Sequence, residues 1–172
     1  MLTAERLREV LAYDQETGIL TWKHQVSRNI KPGQVAGCIN QYGYRKVAID
    51  KKTMLVHRVI WAIVHGEFPN GLIDHINRDR LDNRISNLRI ANDAQNAANK
   101  SQSPGARNIR GVTRLKSGKF QAAIGGGRKY LGVFDTAEDA KEFYELASAM
   151  LYGEFSPYYK AAQRAQAQKD QA

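Results

Sequence analysis

"DHINRDRLDNRISNLRIANDAQNAANK", residues Asp74 to Lys100, places an acidic residue beside a histidine and follows them with six asparagines, none next to a glycine. That is more amide than an ordinary turn-forming loop requires. The flanking pattern orders the stretch. The "FPNG" turn (68–71) feeds a short apolar run, "LIDH", which reads as a strand. A polar loop over 76–86 leads to a second strand, "NLRIA", and Asn92 with Gln95 three residues on has the form of a capping box. A helix over 93–100 follows, so the unit is strand, loop, strand, helix.

The chemistry available there is that of phosphodiester hydrolysis. Such a reaction needs an activated water, neutralised charge on the phosphate and help for the leaving oxygen, and one hard divalent cation can supply the last two. Asp74 offers a carboxylate and an asparagine an amide oxygen, both suited to such an ion. His75 is neutral near pH 7 and can accept a proton from water. Adjacent residues on a regular strand face opposite ways, so a distorted strand end is expected if both are to serve one site.

Upstream, residues 4–13 read as a short helix with Leu7, Val10 and Leu11 on one face. "ETGILTWK" suggests a hairpin, "KPGQVAG" a turn, and "GYRKVAID" a strand closed by "DKKT". "MLVHRVIWAIVHG" begins extended and becomes a helix with Val56, Ile60, Ile63 and Val64 on its buried stripe, stopping at Gly66. His24 and His65 have no catalytic context and read as structural or exposed, and Asn83 reads as a loop-shaping residue. Downstream, "KSQSPGARN" reads as a linker. "RGVTRLK", "KFQAAIG" and "RKYLGVF" read as three strands before a long helix capped by Thr136 and Asp139. Phe134, Ala140, Phe143 and Ala147 are its expected core contacts, and the tail from 158 is expected to be flexible.

Net charge is +9, and residues 105–130 carry seven basic residues and no acid, which favours a polyanionic partner. Cys38 is the sole cysteine, so neither a disulfide framework nor a cysteine-rich zinc site is expected. The longest apolar run, "VIWAIV", is far short of a membrane span, and no secretion signal opens the chain. A cytoplasmic setting is expected.

On the residues 74–100 the chain resembles the His-Asn-His (HNH) nuclease motif, a ββα-metal unit. It looks most like the variant of phage homing endonucleases in which the last His is replaced by Asn. The resemblance implies Asp74 as metal ligand, His75 as general base and Asn87 as the residue orienting the histidine's loop. It implies Asn96 as the second metal ligand, with His57 of "LVHRVIW" near the site. An amide ligand is weaker than a carboxylate, which favours one Mg²⁺ or Mn²⁺ over zinc. Residues 110–157 are similar to the ethylene-response-factor (Apetala-type) DNA-binding domain, on "GV", "SGKF" and "LGVFDTAEDA". That likeness implies a three-stranded antiparallel sheet on one helix, with DNA contacts at Arg110, Arg114, Lys116, Lys119, Gln121, Arg128 and Lys129.

The expected class is α+β. The expected divisions are a supporting region (1–52), a nuclease unit (53–100), a linker (101–109), a DNA-binding domain (110–157) and a tail (158–172). The function expected is a metal-dependent endonuclease nicking double-stranded DNA, with no membrane association. No leucine-rich heptad or exposed apolar helix announces a dimer, so a monomer is expected. The alternatives are a non-catalytic, sequence-specific DNA-binding regulator and an RNA-directed nuclease, the latter less suited to a sheet that enters a major groove.

Overall fold

The computed structural model describes residues 2–100 and 109–169, and the expected linker lies outside them except for its last residue. Helices and antiparallel sheets make an α+β protein. The chain forms two compact units, Met1–Asn92 and Asp93–Ala172. Among the described residues no helix is long and apolar enough to cross a membrane.

In the first unit, α1 (Ala4–Val10) starts at Thr3, whose hydroxyl accepts from the Arg6 amide at 3.3 Å. The helix ends earlier than its periodicity suggests, because Leu11 already belongs to β1 (Leu11–Asp14). Leu7, Val10 and Leu11 are nonetheless all buried, since a strand leaving the helix end keeps Leu11 on the core side. β1 pairs with β2 (Ile19–Trp22). β3 (Cys38–Ile39), β4 (Arg45–Ile49) and β5 (Lys52–Leu55) form a second antiparallel sheet. β5 runs directly into α2 (Val56–His65).

The buried face of α2 is Val56, Val59, Ile60 and Ala62 with His57, whereas Val64 is exposed. The stripe is therefore rotated from the expected one, toward the hairpin that follows. Arg58 fixes the entry to that hairpin by donating to the carbonyls of Gly71 (2.8 Å) and Pro69 (2.9 Å). β6 (Leu72–His75) then pairs with β7 (Leu88–Ala91). Ile73 and Leu88 join the core of Leu7, Leu11, Leu20, Val47, Val56, Val59 and Ile60. Each such fully buried side chain contributes roughly 1.5–3 kcal/mol, and this core is what holds β6 in place.

The second unit begins with α3 (Asp93–Asn99). Its sheet, β8 (Val112–Arg114), β9 (Phe120–Ile124) and β10 (Lys129–Phe134), is antiparallel in the order β10-β9-β8. α4 (Ala137–Tyr152) packs on it through Ala140, against Val112 and Ala122. Thr136 caps the helix, accepting from the Asp139 amide at 3.1 Å. Tyr144, not the expected Phe143, is the buried aromatic of α4, and Phe143 stays exposed against the Phe134 ring. The phase is set by Gly111, where a Cβ would stand 2.1 Å from the Tyr144 ring and φ is +73°.

Phe143, Leu146, Met150 and Leu151 leave an exposed apolar stripe on α4, contrary to the expectation that no such helix face is present. Within the expected tail, Tyr159–Lys169 form a helix, α5. Its Ala, Gln, Lys and Arg residues are strong helix formers uninterrupted by Gly or Pro.

Candidate active site

His75 is the last residue of β6 and lies on the core side of the β6–β7 hairpin, opposite Leu88 and two residues from Ile73. It is 5% exposed. Its Nε2 lies 3.2 Å from Oδ1 of Asn83. The orientation of that amide is fixed from its other end, because Asn83 Nδ2 donates to the Leu81 carbonyl at 3.1 Å. An amide oxygen can only accept, so Nε2 carries the imidazole proton and the lone pair sits on Nδ1.

Burial lowers the His75 pKa, against opposing contributions from the Asn83 contact and the carboxylates of Asp74, Asp79 and Asp82. The ring is therefore neutral at pH 7, the state a proton acceptor needs. His57 stands edge-on to it at 5.1 Å and Tyr44 edge-on to His57 at 5.5 Å, a wall of rings beside the imidazole. Burial, then the neighbouring His75 and Arg58, hold His57 down to a pKa of about 3.

Asp74 leaves the opposite face of the same strand. β6 is regular to its end, with Asp74 across from Arg89 and His75 across from Leu88, so the expected distortion does not occur. The chain bends only afterwards, where the Arg78 amide donates to the His75 carbonyl at 2.9 Å and Arg78 takes φ +67°. Asp74 is buried and ion-paired with its cross-strand neighbour. Arg89 Nε donates to Asp74 Oδ2 at 2.9 Å, and Nη2 lies 2.8 Å from the same oxygen. A buried carboxylate requires such a partner.

The asparagines of the loop form its frame. Asn87 Oδ1 accepts from the Asn77 amide (3.0 Å), and Asn87 Nδ2 donates to Asn77 Oδ1 (3.0 Å) and the Asp82 carbonyl (2.8 Å). Asn77 Nδ2 in turn donates to Asp82 Oδ2 at 2.7 Å. Asp82, paired with Arg84, has its pKa lowered to about 2. From outside the loop, the Tyr13 hydroxyl on β1 accepts from the Ile85 amide (2.8 Å) and donates to the Asn83 carbonyl (3.2 Å). Gly18 lets the β1–β2 turn approach, since a Cβ there would stand 2.5 Å from the Arg84 nitrogen.

Asn96, on α3, is half-buried and belongs to the second unit, while Asn99 on the same helix is buried. Among the described residues no cluster of three or more His, Cys, Asp or Glu side chains is placed to hold a metal. Asp74 is the buried carboxylate among the described residues of the site. A lone carboxylate oxygen suits a hard ion that keeps several waters and takes substrate phosphate as ligand, whereas a closed zinc site needs four protein ligands.

The expected DNA contacts separate. Arg110 is directed into the end of α3, donating to the carbonyls of Ala97 (2.6 Å), Ala98 (3.3 Å) and Lys100. Lys119 pairs with Asp135 at 2.8 Å in an exposed ion pair. Cross-strand partners share a face. Arg114 pairs with Phe120 and Lys129 with Ile124, so both belong to the helix side of the sheet, at its ends. Gln121 shares the open face with Thr113, Ala123, Tyr130 and Val133. Lys116 and Arg128 sit in the exposed turns between the strands. The basic side chains accordingly rim the sheet, and its open face is neutral.

Arg89, Asn83 and Tyr13 were not singled out as site residues by the sequence pattern. Pairing "LIDH" with "NLRIA" in register would have set Arg89 across from Asp74, whereas Tyr13 approaches from 70 residues away and leaves no local signal.

Residues 54–98 match the family model described as HNH endonuclease. The chain is also similar to a protein of Acanthamoeba polyphaga mimivirus described as an uncharacterized HNH endonuclease. The two are 34% identical over 69% of this chain and 63% of the relative, so the chain spans less than two thirds of that protein's length. No solved structure matches the chain.

Proposed function

We propose that the protein is a metal-dependent DNA endonuclease of the HNH type. His75 serves as general base, Asp74 and Asn96 as ligands of one Mg²⁺ or Mn²⁺ ion, and the basic second unit grips the duplex. The observation that carries the reading is the buried, neutral His75, its proton fixed on Nε2 by Asn83, next in sequence to an ion-paired buried carboxylate. His75 takes a proton from the attacking water at Nδ1, and Asn83 stabilises the imidazolium that results. Arg89 holds Asp74 in place, and Asn87 keeps the loop closed against β7. When bound, the ion neutralises phosphate charge and stabilises the leaving oxygen. Because Asp74 and His75 leave opposite faces of β6, the scissile strand lies across the end of that strand, within reach of both. The pairing of Asp74 with Asn96 on one ion rests on the motif resemblance, as does the grip of the second unit on DNA.

Each chain carries one such constellation, so one molecule nicks one strand. Supercoiled plasmid with and without Mg²⁺ tests both points. Nicked circles should accumulate before linear product, and His75→Ala should slow cleavage by about 10²–10⁴-fold. Wild-type cleavage by H75A would overturn the site. Linear product appearing at once would overturn the nicking. The α4 stripe gives a second copy a surface to use, so sedimentation accompanies the gel. A regulator without catalysis is disfavoured, because both Asp74 and His75 are present.

A further inference from the structure

Between His75 and solvent stands a group of side chains that the catalytic assignment does not use. Arg80, on the β6–β7 loop, donates from Nη1 to the Tyr42 carbonyl at 2.7 Å, and its guanidinium carbon lies 4.9 Å from the centre of the Tyr44 ring. Tyr44 is itself 6.0 Å from the His75 ring. One tyrosine therefore separates an exposed, permanently charged guanidinium from the base. The carboxylates of the same loop are committed elsewhere, Asp82 to Arg84 and Asn77, and Asp79 to the Leu81 amide. Among the described residues Arg80 has no acidic partner.

The opposing turn is equally fixed. Asn40 Oδ1 accepts from the Tyr42 and Tyr44 amides at 2.9 and 3.0 Å, and the Asn40 and Gly43 amides donate to the Tyr44 and Asn40 carbonyls. On that rigid turn the Tyr42 ring is 65% exposed. An exposed ring and an exposed guanidinium with no acidic partner among the described residues thus stand side by side at the edge of the site. Arg80 is cheap to employ, because its bond to the Tyr42 carbonyl and its seat on Tyr44 already restrict it in the free protein, and the Tyr42 backbone is held by Asn40.

We propose that Arg80 and Tyr42 form a nucleic-acid subsite that grips the strand being cut beside the scissile phosphate. The remaining guanidinium donors bond a neighbouring backbone phosphate, and the Tyr42 ring packs on the adjoining deoxyribose. A planar guanidinium seated on Tyr44 suits phosphate oxygens in a way a lysine does not. The subsite reads backbone and not base, so it positions the strand without adding sequence preference. This inference rests on the nuclease reading, in which His75 meets the scissile bond.

The test measures the full chain, Arg80→Gln, Arg80→Lys and Tyr42→Ser in two assays. One is plasmid cleavage with Mg²⁺, and the other is anisotropy of a labelled DNA duplex across a range of salt without Mg²⁺. R80Q should lower the slope of log affinity against log salt by about 0.9, the value of one phosphate contact. It should raise the half-saturating DNA concentration about tenfold, the size of one charge-assisted hydrogen bond, and leave the maximal rate near wild type. R80K should restore the slope but only part of the affinity. Y42S should raise half-saturation without altering the slope, and it replaces an exposed ring, so it decides the matter should R80Q fail to fold. An unchanged slope in R80Q, or a lower maximal rate at unchanged half-saturation, would overturn the proposal and make Arg80 a prop for the His75 wall. A wild-type chain that binds DNA without cutting it, while R80Q still lowers the slope, would sink the nuclease reading and leave the grip standing.

Discussion

At Asn83 a single neutral amide donates to the Leu81 carbonyl and accepts from His75, so its orientation and the tautomer of the histidine are fixed together. Asn83→Leu keeps the volume and removes the acceptor. Groups that orient a reacting side chain through one hydrogen bond typically contribute about 10- to 100-fold. Maximal cleavage rate should fall by that much with DNA affinity intact, and ring-nitrogen NMR of His75 should show loss of the single tautomer. A wild-type spectrum and rate would remove Asn83 from the mechanism. His57 bears on stability in acid. Its folded pKa of about 3 lies below the ordinary 6.5, so as pH falls from 6.5 the unfolded chain takes up the proton first. Stability is fully present above pH 6.5 and declines through the window down to about 3. The melting temperature should fall across that window, and His57→Gln should flatten the decline. An equally steep decline in the variant would show that other groups cause it.

Among the elements, the β1–β2 hairpin contributes a prop and no catalytic atom. Tyr13→Phe strips the hydroxyl from the Ile85 amide and the Asn83 carbonyl, leaving half-buried groups without that partner at a cost of about 1–3 kcal/mol. Gly18→Ala drives a methyl into the Asn83–Arg84 backbone from a position at φ +74°. Chemical denaturation should show both variants less stable, and the plasmid assay should show both slower. A Gly18→Ala protein of normal activity would separate the hairpin from the site.

The β6–β7 pairing was legible in the sequence because short apolar runs between turn residues carry a strand signal. Asp74, His75 and Asn87 lay within that local pattern. Arg89 required the cross-strand register, and Tyr13 and Asn83 required knowing that β1 meets a loop 70 residues later in the chain. The misphased stripe on α4 has a similar origin. Helical spacing permits either Phe143 or Tyr144 inward, and the choice was made by the space above Gly111 on another element.

For the whole molecule, charge is distributed so that Arg114, Lys116, Arg128 and Lys129 of the second unit stand at the edge of a neutral sheet face. Replacing Arg114, Lys116, Arg128 and Lys129 by Gln in the full chain should weaken DNA binding at every sequence tested. The salt slope should flatten by up to about 3.6 if each side chain meets a phosphate. Retention of the wild-type slope would remove the sheet rim from DNA binding. Base discrimination should survive the change, since phosphate contacts carry no sequence information.

The asparagine frame around His75 also has a chemical lifetime. Loss of ammonia from an asparagine proceeds by attack of the next residue's backbone nitrogen on the side-chain carbonyl, and it is fastest where glycine follows. Asn77, Asn83 and Asn87 are followed by Arg78, Arg84 and Leu88, and each amide is engaged at both its oxygen and its nitrogen. Reaching the geometry of attack would mean breaking those bonds first. The loop that holds the proton acceptor is thereby slow to age, and at Asn83 such ageing would set a new carboxylate against the imidazole.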